Sequence, residues 1–518
     1  MEIIKDYIRA STIEAPVIQR KTVEYECIIP DNMPDALSVS SVDAIADVEN
    51  IRTENTFTVA DMNIKYNIIY LSDADEKPVK AFSSKTVHTL TADIEEINKD
   101  SFHNGNVIVE NIEHTLTNSR KVTIRTNLRL EIYTENNTQT GLPVDITGSE
   151  TIRTLAEKTN ICTCTEDMRS TYDINSNIEL PGIKKPFERL LYTSASLCDL
   201  NYITNGAEVQ IRGNLSLCTL YISEEDTNAL QIIENQIPFT HSVNVDYRDD
   251  QQFRLVRPII KSCDVQIIED SDGLRRVLNV NARVEFNIKT YTCIEFNLIE
   301  DAFCLEKNVN IIKENVKLIE SMQEVRSSFA MKEIISRPEN LASFKEIVNV
   351  SCCPGETHAS CNDDEITIKG EIVCNILYLT DDITTPVASF STKLEFTQSV
   401  EQRGISQQDI VTIYPEINHT STGIISDSEA ELRLSVTIYG ISGKSTEKSF
   451  ISEFDENDCN EDNVIQNIAP ILLYIVQPGD SIWKISKKYK TDPEYLKKIN
   501  RLPEPYIIYP GQKLIISK

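Results

Sequence analysis

Asn67-Ile-Ile-Tyr70-Leu-Ser-Asp73 recurs as Cys218-Thr-Leu-Tyr221-Ile-Ser223 and again as Asn375-Ile-Leu-Tyr378-Leu-Thr-Asp381. The recurrence decides how the chain is read, because the three tyrosines are spaced by about 150 residues, the size of one domain. A second landmark keeps step with the first. Pro30, Pro181 and Pro338 each precede their tyrosine by about 40 residues. Phe187 aligns with Phe344 and Gly213 with Gly370, whereas the first copy has Ala36 and Met62 at those places.

Working outward, each copy closes on a long alternating segment. Val122, Ile124, Leu128, Leu130 and Ile132 share one parity, with Arg125, Arg129 and Glu131 on the other. Leu278, Val280, Ala282, Val284, Phe286 and Ile288 repeat the pattern, as do Ala430, Leu432, Leu434, Val436 and Ile438. Period-two alternation describes a strand with one face on a core and one in water, the habit of antiparallel sheets. The tyrosine segments also alternate, and Ser223-Glu-Glu-Asp226 ends one of them as a turn. Helical spacing is scarce in this region; the short run 186–190 is one candidate helix. The fold class that follows is mainly β: three repeated sandwich-like or barrel-like domains, and then a smaller domain of a different kind. The divisions fall at 1–145, 146–298 and 299–453 for the repeats, 454–472 for an acidic linker, and 473–518 for the last domain.

That last domain can be built from its residues. Tyr474-Ile-Val476 is a short strand ended by Pro478-Gly479. Asp480 or Ser481 is suited to cap a helix in which Ile482, Ile485 and Tyr489 share one face. Lys487, Lys488 and Lys490 then fall in its last turn, where cations suit the helix dipole. A second helix opens at Thr491 or Asp492 with Pro493 in the first position, and Leu496 and Ile499 face inward. Lys513-Leu-Ile-Ile516 closes the unit as a strand, which gives βααβ.

Composition limits the function. The 518 residues carry 80 Asp+Glu against 51 Lys+Arg, a net charge of −29, so the chain is expected to bind no nucleic acid. Residues 471–518 run the other way, with nine Lys/Arg against four Asp/Glu. A basic tail on an acidic body points to an acidic partner or to a solvated face. The segment Met1-Glu-Ile-Ile-Lys-Asp-Tyr7 lacks the apolar core of a secretion signal, and no membrane-spanning run is expected. The 13 cysteines have no disulfide-framework spacing, and reduced thiols are expected. Cys352-Cys353, His358 and Cys361 are the strongest metal suspects, but adjacent cysteines on a strand point to opposite faces. Cys162 and Cys164 are weaker still. Gly is sparse at 15 residues, and no phosphate loop, catalytic triad or carboxylate pair stands out. No cofactor and no catalytic residue are expected.

The terminal unit resembles the LysM family almost position by position, through Tyr474-x-Val476-x-x-Gly479-Asp480-Ser481-Ile482-Trp483-Lys484-Ile485, Asn500, and Ile508-Tyr509-Pro510-Gly511-Gln512-Lys513-Leu514. The resemblance implies a groove for N-acetylglucosamine glycans, with Gly479, Asp480, Ser481 and Ile482 on one side and Ile508, Tyr509, Pro510 and Gly511 on the other. The same glycines and proline are also what the turns need, and Trp483 also suits packing. The three repeats resemble the SPOCS repeat of spore coat morphogenetic proteins. Repeats plus LysM together resemble the SipL and SpoVID-like family. That implies a non-catalytic scaffold in the mother-cell cytoplasm at the forespore surface, whose LysM contacts the coat ATPase SpoIVA. Peptidoglycan binding at wall or cortex is the alternative, and a LysM-targeted wall hydrolase is a third reading. A basic helix face of Lys484, Lys487 and Lys488 is expected to meet the partner, and the repeats are candidates for self-association.

Overall fold

The computed structural model describes residues 2–13, 16–54, 57–72, 78–93, 102–148, 150–224, 230–247, 252–306, 309–455 and 471–517. Most of the linker range expected from the sequence, 456–470, lies outside the described residues.

The first repeat contains β1 (Glu2–Ile13), β2 (Val17–Ile28), β3 (Ser38–Glu54), β4 (Phe57–Leu71), β5 (Val79–Asp93), β6 (Phe102–Asn118) and β7 (Lys121–Thr147). The second contains β8 (Ile152–Glu179), β9 (Phe187–Asn205), β10 (Glu208–Ser223), β11 (Leu230–Asn244), β12 (Gln252–Ile268) and β13 (Val277–Cys304). The third contains β14 (Asn310–Ser336), β15 (Glu346–Asn362), β16 (Glu365–Leu379), β17 (Val387–Glu401), β18 (Ile410–Ile424) and β19 (Glu429–Asp455).

Each repeat is an antiparallel sandwich with one topology. Its second, third and fourth strands form a meander sheet, β3-β4-β5, β9-β10-β11 or β15-β16-β17. The first, last and fifth strands form the other sheet, β8-β13-β12 or β14-β19-β18. In the first repeat β1 and β2 together take the place of the first strand, both pairing with β7. The alternating segments read from the sequence are the inner halves of β7, β13 and β19, and their apolar parity is fully buried between the sheets. The run 186–190, a candidate helix, instead starts β9, because Phe187 is completely buried with its ring 4.6 Å from that of Tyr221.

The repeated tyrosines anchor the sandwiches. Tyr70, Tyr221 and Tyr378 are fully buried. Their hydroxyls donate to the carbonyls of Pro34 (2.9 Å), Lys185 (3.2 Å) and Ala342 (2.9 Å). Burying a phenol is tolerable only with such a partner. Gly213 lies opposite Phe239 and Gly370 opposite Phe396 in the β10–β11 and β16–β17 pairs. A ring covers each glycine, and an added Cβ at Gly370 would stand 2.7 Å from Phe396. The first repeat replaces this pair with Met62 opposite His88: the larger side chain moves to the inner strand and the smaller ring to its partner. That is why Met62 could stand where glycine was aligned.

The long strands run past the sandwiches. The outer half of each first strand pairs with the outer half of each last strand, making three two-stranded ribbons: Glu2–Ile13 with Glu135–Thr147, Ile152–Cys164 with Tyr291–Cys304, and Asn310–Ile319 with Ser445–Asp455. The ribbons share apolar clusters. Ile8, Leu142, Ile161, Phe296, Leu298, Leu318 and Phe450 form one, to which every repeat contributes. At the other end, Ile69, Leu71, Leu191, Leu220, Ile222, Val348, Leu377 and Leu379 meet in another three-way cluster. The repeats therefore close into a ring in which each touches both others. Ion pairs cross every seam: Lys261–Asp47 at 2.6 Å and Lys65–Asp264 at 3.9 Å between the first and second repeats, Lys448–Glu157 at 2.9 Å and Lys313–Asp301 at 3.9 Å between the second and third, and Arg20–Glu356 between the first and third. Between the clusters lies a cavity of about 1030 Å³ lined by all three repeats. In it the Arg257 guanidinium covers the rings of Tyr133 (5.6 Å) and Tyr414 (4.9 Å).

The expectation that all thiols are reduced is corrected at one place. Cys162 and Cys293 stand opposite each other in the β8–β13 ribbon, Cα atoms 3.9 Å apart, and form a disulfide. Spacing could not show this, because 131 residues separate the pair and only the strand register brings them together. Cys352 lies 3.3 Å from Cys374, its in-register neighbour on β16. Among the described residues no group of three or more His, Cys, Asp or Glu is placed to hold a metal, and no helix is long and apolar enough to cross a membrane.

Candidate functional site

The C-terminal unit is β20 (Ile471–Ile475), α1 (Ile482–Tyr489), α2 (Pro493–Ile499) and β21 (Lys513–Ser517), with β20 and β21 antiparallel. Its core is Val476, Ile485, Leu496, Leu514 and Ile516, with Ile482, Tyr489 and Ile508 packed at the edge. Ser481, not Asp480, caps α1 and accepts from the Lys484 N–H. Asp492 caps α2 by accepting from the Glu494 and Tyr495 N–H groups. Asn500 pegs the second helix to β21. Its amide donates to the Ile515 carbonyl at 2.7 Å and its carbonyl accepts from the Ile515 N–H at 2.6 Å.

The two loops singled out from the sequence lie side by side at one end of the strand pair. The Gly511 N–H donates to the Val476 carbonyl at 2.8 Å, and the Val476 N–H to the Gln512 carbonyl at 2.9 Å. Gly479 and Gly511 have φ of 84° and 86°, which only glycine adopts freely. Along these loops Gly479, Ser481, Tyr509, Pro510 and Gly511 are exposed. Tyr509 is 65% exposed. Ile508 is partly buried against the core, whereas its neighbour Ile507 is 55% exposed. Sequence reasoning did not single out Ile507, which lies outside any strand or helix whose periodicity could have shown its exposure. The Asp480 carboxylate is spent inside its own loop. It accepts from the Gln477 N–H and the Tyr474 hydroxyl, both at 2.7 Å, and these bonds hold it below the usual carboxylate range. The Asp480 carboxylate therefore braces its own loop.

The three lysines expected to form one open basic face are dispersed. The Lys484 ammonium donates to the Gly479 carbonyl at 2.9 Å and stays exposed. Lys488 lies over the rings of Tyr474 and Tyr489, at 5.6 and 5.4 Å. Lys487 reaches out of the domain, to Asp301 on the second repeat at 2.6 Å.

That contact belongs to a docking surface with no local signal in the sequence. Trp483 donates its indole N–H to the other oxygen of Asp301 at 2.8 Å. Its ring meets Phe303 edge-on, centroids 5.0 Å apart. Arg153, at the start of β8, donates to Asp492 at 2.5 Å. Burial pushes the Asp301 carboxyl up, but the hydrogen bonds from Lys487 and Trp483 and the charges of Lys487 and Lys313 outweigh it and bring the group below its ordinary value. Asp492 is lowered in the same way, burial being outweighed by Arg153 and the helix N–H groups. The domain thus sits on the ribbon tip of the second repeat by its helices, with the loops of Gly479 and Gly511 exposed to solvent.

Comparison with known proteins agrees with this architecture. Residues 474–517 match the LysM domain, and residues 344–425, within the third sandwich, match the SipL SPOCS domain. The chain therefore carries a SipL-type SPOCS domain and a LysM domain. Over 43 residues it is 51% identical to SpoIVD-associated factor A of Bacillus subtilis (strain 168), a match that covers 8% of this chain and 11% of that protein. It is equally similar, 51% over 43 residues, to the spore coat assembly protein ExsA of Bacillus cereus, covering 8% and 7% of the two chains. The chain thus spans about a tenth or less of the length of these curated relatives. No solved structure matches it.

Proposed function

We propose that the chain is a non-catalytic scaffold for spore coat assembly, working from the mother-cell cytoplasm at the forespore surface. In this reading the LysM groove docks on a coat morphogenetic protein of the SpoIVA type. One observation carries the reading most strongly: a SipL-type SPOCS domain and a LysM domain stand in one chain, with the LysM mounted on the closed ring of repeats and its groove outward. The relatives' names support it, one as an associated factor of SpoIVD and the other as a coat assembly protein. The residues proposed to contact the partner are Gly479, Ser481, Ile482, Ile507, Tyr509, Pro510 and Gly511, with Asp480 holding the loop and Lys484 and Lys488 beside it. A ring of three sandwiches is stiff, and stiffness suits a part that sets distances in a layered shell.

The exposed Tyr509 next to backbone freed by Gly479 and Gly511 also suits an acetamido sugar, and an N-acetylglucosamine glycan is the alternative ligand. A fluorescent fusion made in a sporulating host tests the proposal. It should form a shell around the forespore that is lost in a Tyr509→Ala, Ile507→Ser variant. Even fluorescence throughout the mother cell for the unaltered fusion would overturn it.

A further inference from the structure

The contact between the LysM domain and the second repeat is small and mostly polar. It comprises the Asp301 carboxylate shared by Lys487 and Trp483, the Arg153–Asp492 pair, and one aromatic contact to Phe303. We infer that it is a reversible latch: the LysM domain alternates between a docked and a released state, and only release offers Lys487 and Trp483 to another molecule.

Three observations carry this. First, release strands no charge. Asp301 keeps the Lys313 ammonium of the third repeat at 3.9 Å, so its carboxylate stays partnered when the domain leaves. Second, the ion pairs are within reach of salt, since the side chains of Lys487 and Arg153 are 39% and 33% exposed. Third, fifteen residues separate Asp455 from Ile471. Fully extended, that many residues would span about 50 Å, enough contour length for the domain to leave the surface.

The docked face also describes what would displace it. The surface binds a carboxylate two residues from an aromatic ring on a ribbon strand, Asp301-Ala302-Phe303, so the competing partner is an acidic segment with an adjacent aromatic. The groove is exposed in the docked state, so the latch stands whichever ligand the groove takes. Latch and groove are separate surfaces of one domain: the first regulates access to α1, the second binds continuously.

Trp483 is the single tryptophan of the chain, which makes the latch directly readable in the full-length protein. In wild type at low salt its emission should be blue-shifted and shielded from acrylamide. Asp301→Lys should shift it to the red and raise the quenching constant several-fold, and sodium chloride should drive wild type toward the same values. Arg153→Glu should do so in part. If Asp301→Lys fails to fold, Arg153→Glu and the wild-type salt titration decide the matter alone. Poly-glutamate should bind Asp301→Asn at least tenfold more tightly than wild type. Emission and quenching that respond to neither salt nor Arg153→Glu would overturn the latch. Equal poly-glutamate affinity of wild type and Asp301→Asn would do so too.

Discussion

The hydroxyl of Tyr192 stands 3.1 Å from the carboxylate of Asp43, and with a second bond this one hydroxyl gathers all three repeats. Tyr192 lies on β9 of the second repeat and Asp43 on β3 of the first. The same hydroxyl accepts from the Asn349 side chain of the third repeat at 3.2 Å. Tyr192 is buried, and burial pushes the Asp43 carboxyl up, offset in part by the hydrogen bonds from Tyr192 and the Ala44 N–H. A polar hub at the centre of an apolar junction fixes how the three bodies meet, where apolar contact alone would tolerate sliding.

Tyr192→Phe should therefore act between the repeats, not within one. It leaves the Asp43 carboxylate and the Asn349 amide short of a partner, at a cost of about 1–3 kcal/mol. Urea denaturation of the full chain should show a lower midpoint. Limited proteolysis should cut first between sandwiches, at 148–152 or 304–310. Cleavage inside β9 would contradict the assignment.

Glu416 gives a pH dependence with a definite sign. Burial in the inter-repeat cavity pushes its carboxyl from the ordinary 4.5 up to about 7, against the pull of Arg326. A carboxyl raised on folding favours the fold below its unfolded value, and that contribution is lost as pH rises through the folded value. Glu416→Gln should thus change little near pH 4.5 and stabilise increasingly up to pH 8, by at most about 3 kcal/mol. The comparison is between variant and wild-type denaturation midpoints across that range. A constant difference would contradict the shift.

The glycine–ring pair of the third repeat makes a coupling prediction. Gly370→Ala pushes a Cβ into Phe396 and towards the Thr357 hydroxyl, 2.9 Å away, at a cost of about 1–3 kcal/mol. Phe396→Leu removes the clash but also loses packing. The double variant should be more stable than the sum of the single effects by at least about 0.5 kcal/mol. Strict additivity in thermal or chemical melts would show that the ring does not cover the glycine.

The sandwiches were legible because each inner strand keeps strict alternation, as Leu278 to Ile288 does. The tyrosine segments carried a second message in their continuous apolar runs. Leu217 to Ser223 is buried at every position, since Leu220 and Ile222 face the other repeats while Tyr221 faces its own core. Both parities being apolar is the mark of a strand covered on both faces. The ribbons were harder to read. In β13 the register slips between Thr290 and Tyr291 and again between Ile299 and Asp301. Each bulge shifts the parity, so Tyr291-Thr-Cys-Ile-Glu-Phe-Asn-Leu298 shows no unbroken pattern. The LysM helices were readable from their caps and periodicity, with Ser481 one of two cap candidates and Asp492 one of two helix starts, whereas the first strand begins at Ile471, three residues before the Tyr474 read from the sequence. The docking of the domain was not readable, because Trp483 and Asp301 are 182 residues apart and neither is unusual in its local context. The same holds for the lysines of α1. Their type and spacing were plain, but only the tertiary structure sends Lys487 to a carboxylate of its own chain.

The most direct test of the account is a titration of the full chain, as wild type and as Tyr509→Ala, against the SpoIVA-type coat ATPase and, separately, against a chitooligosaccharide. The account predicts saturable binding of the ATPase, weakened at least tenfold by Tyr509→Ala, and no saturable binding of the sugar. Saturable sugar binding without any affinity for the ATPase would contradict it, and would make the groove a glycan site.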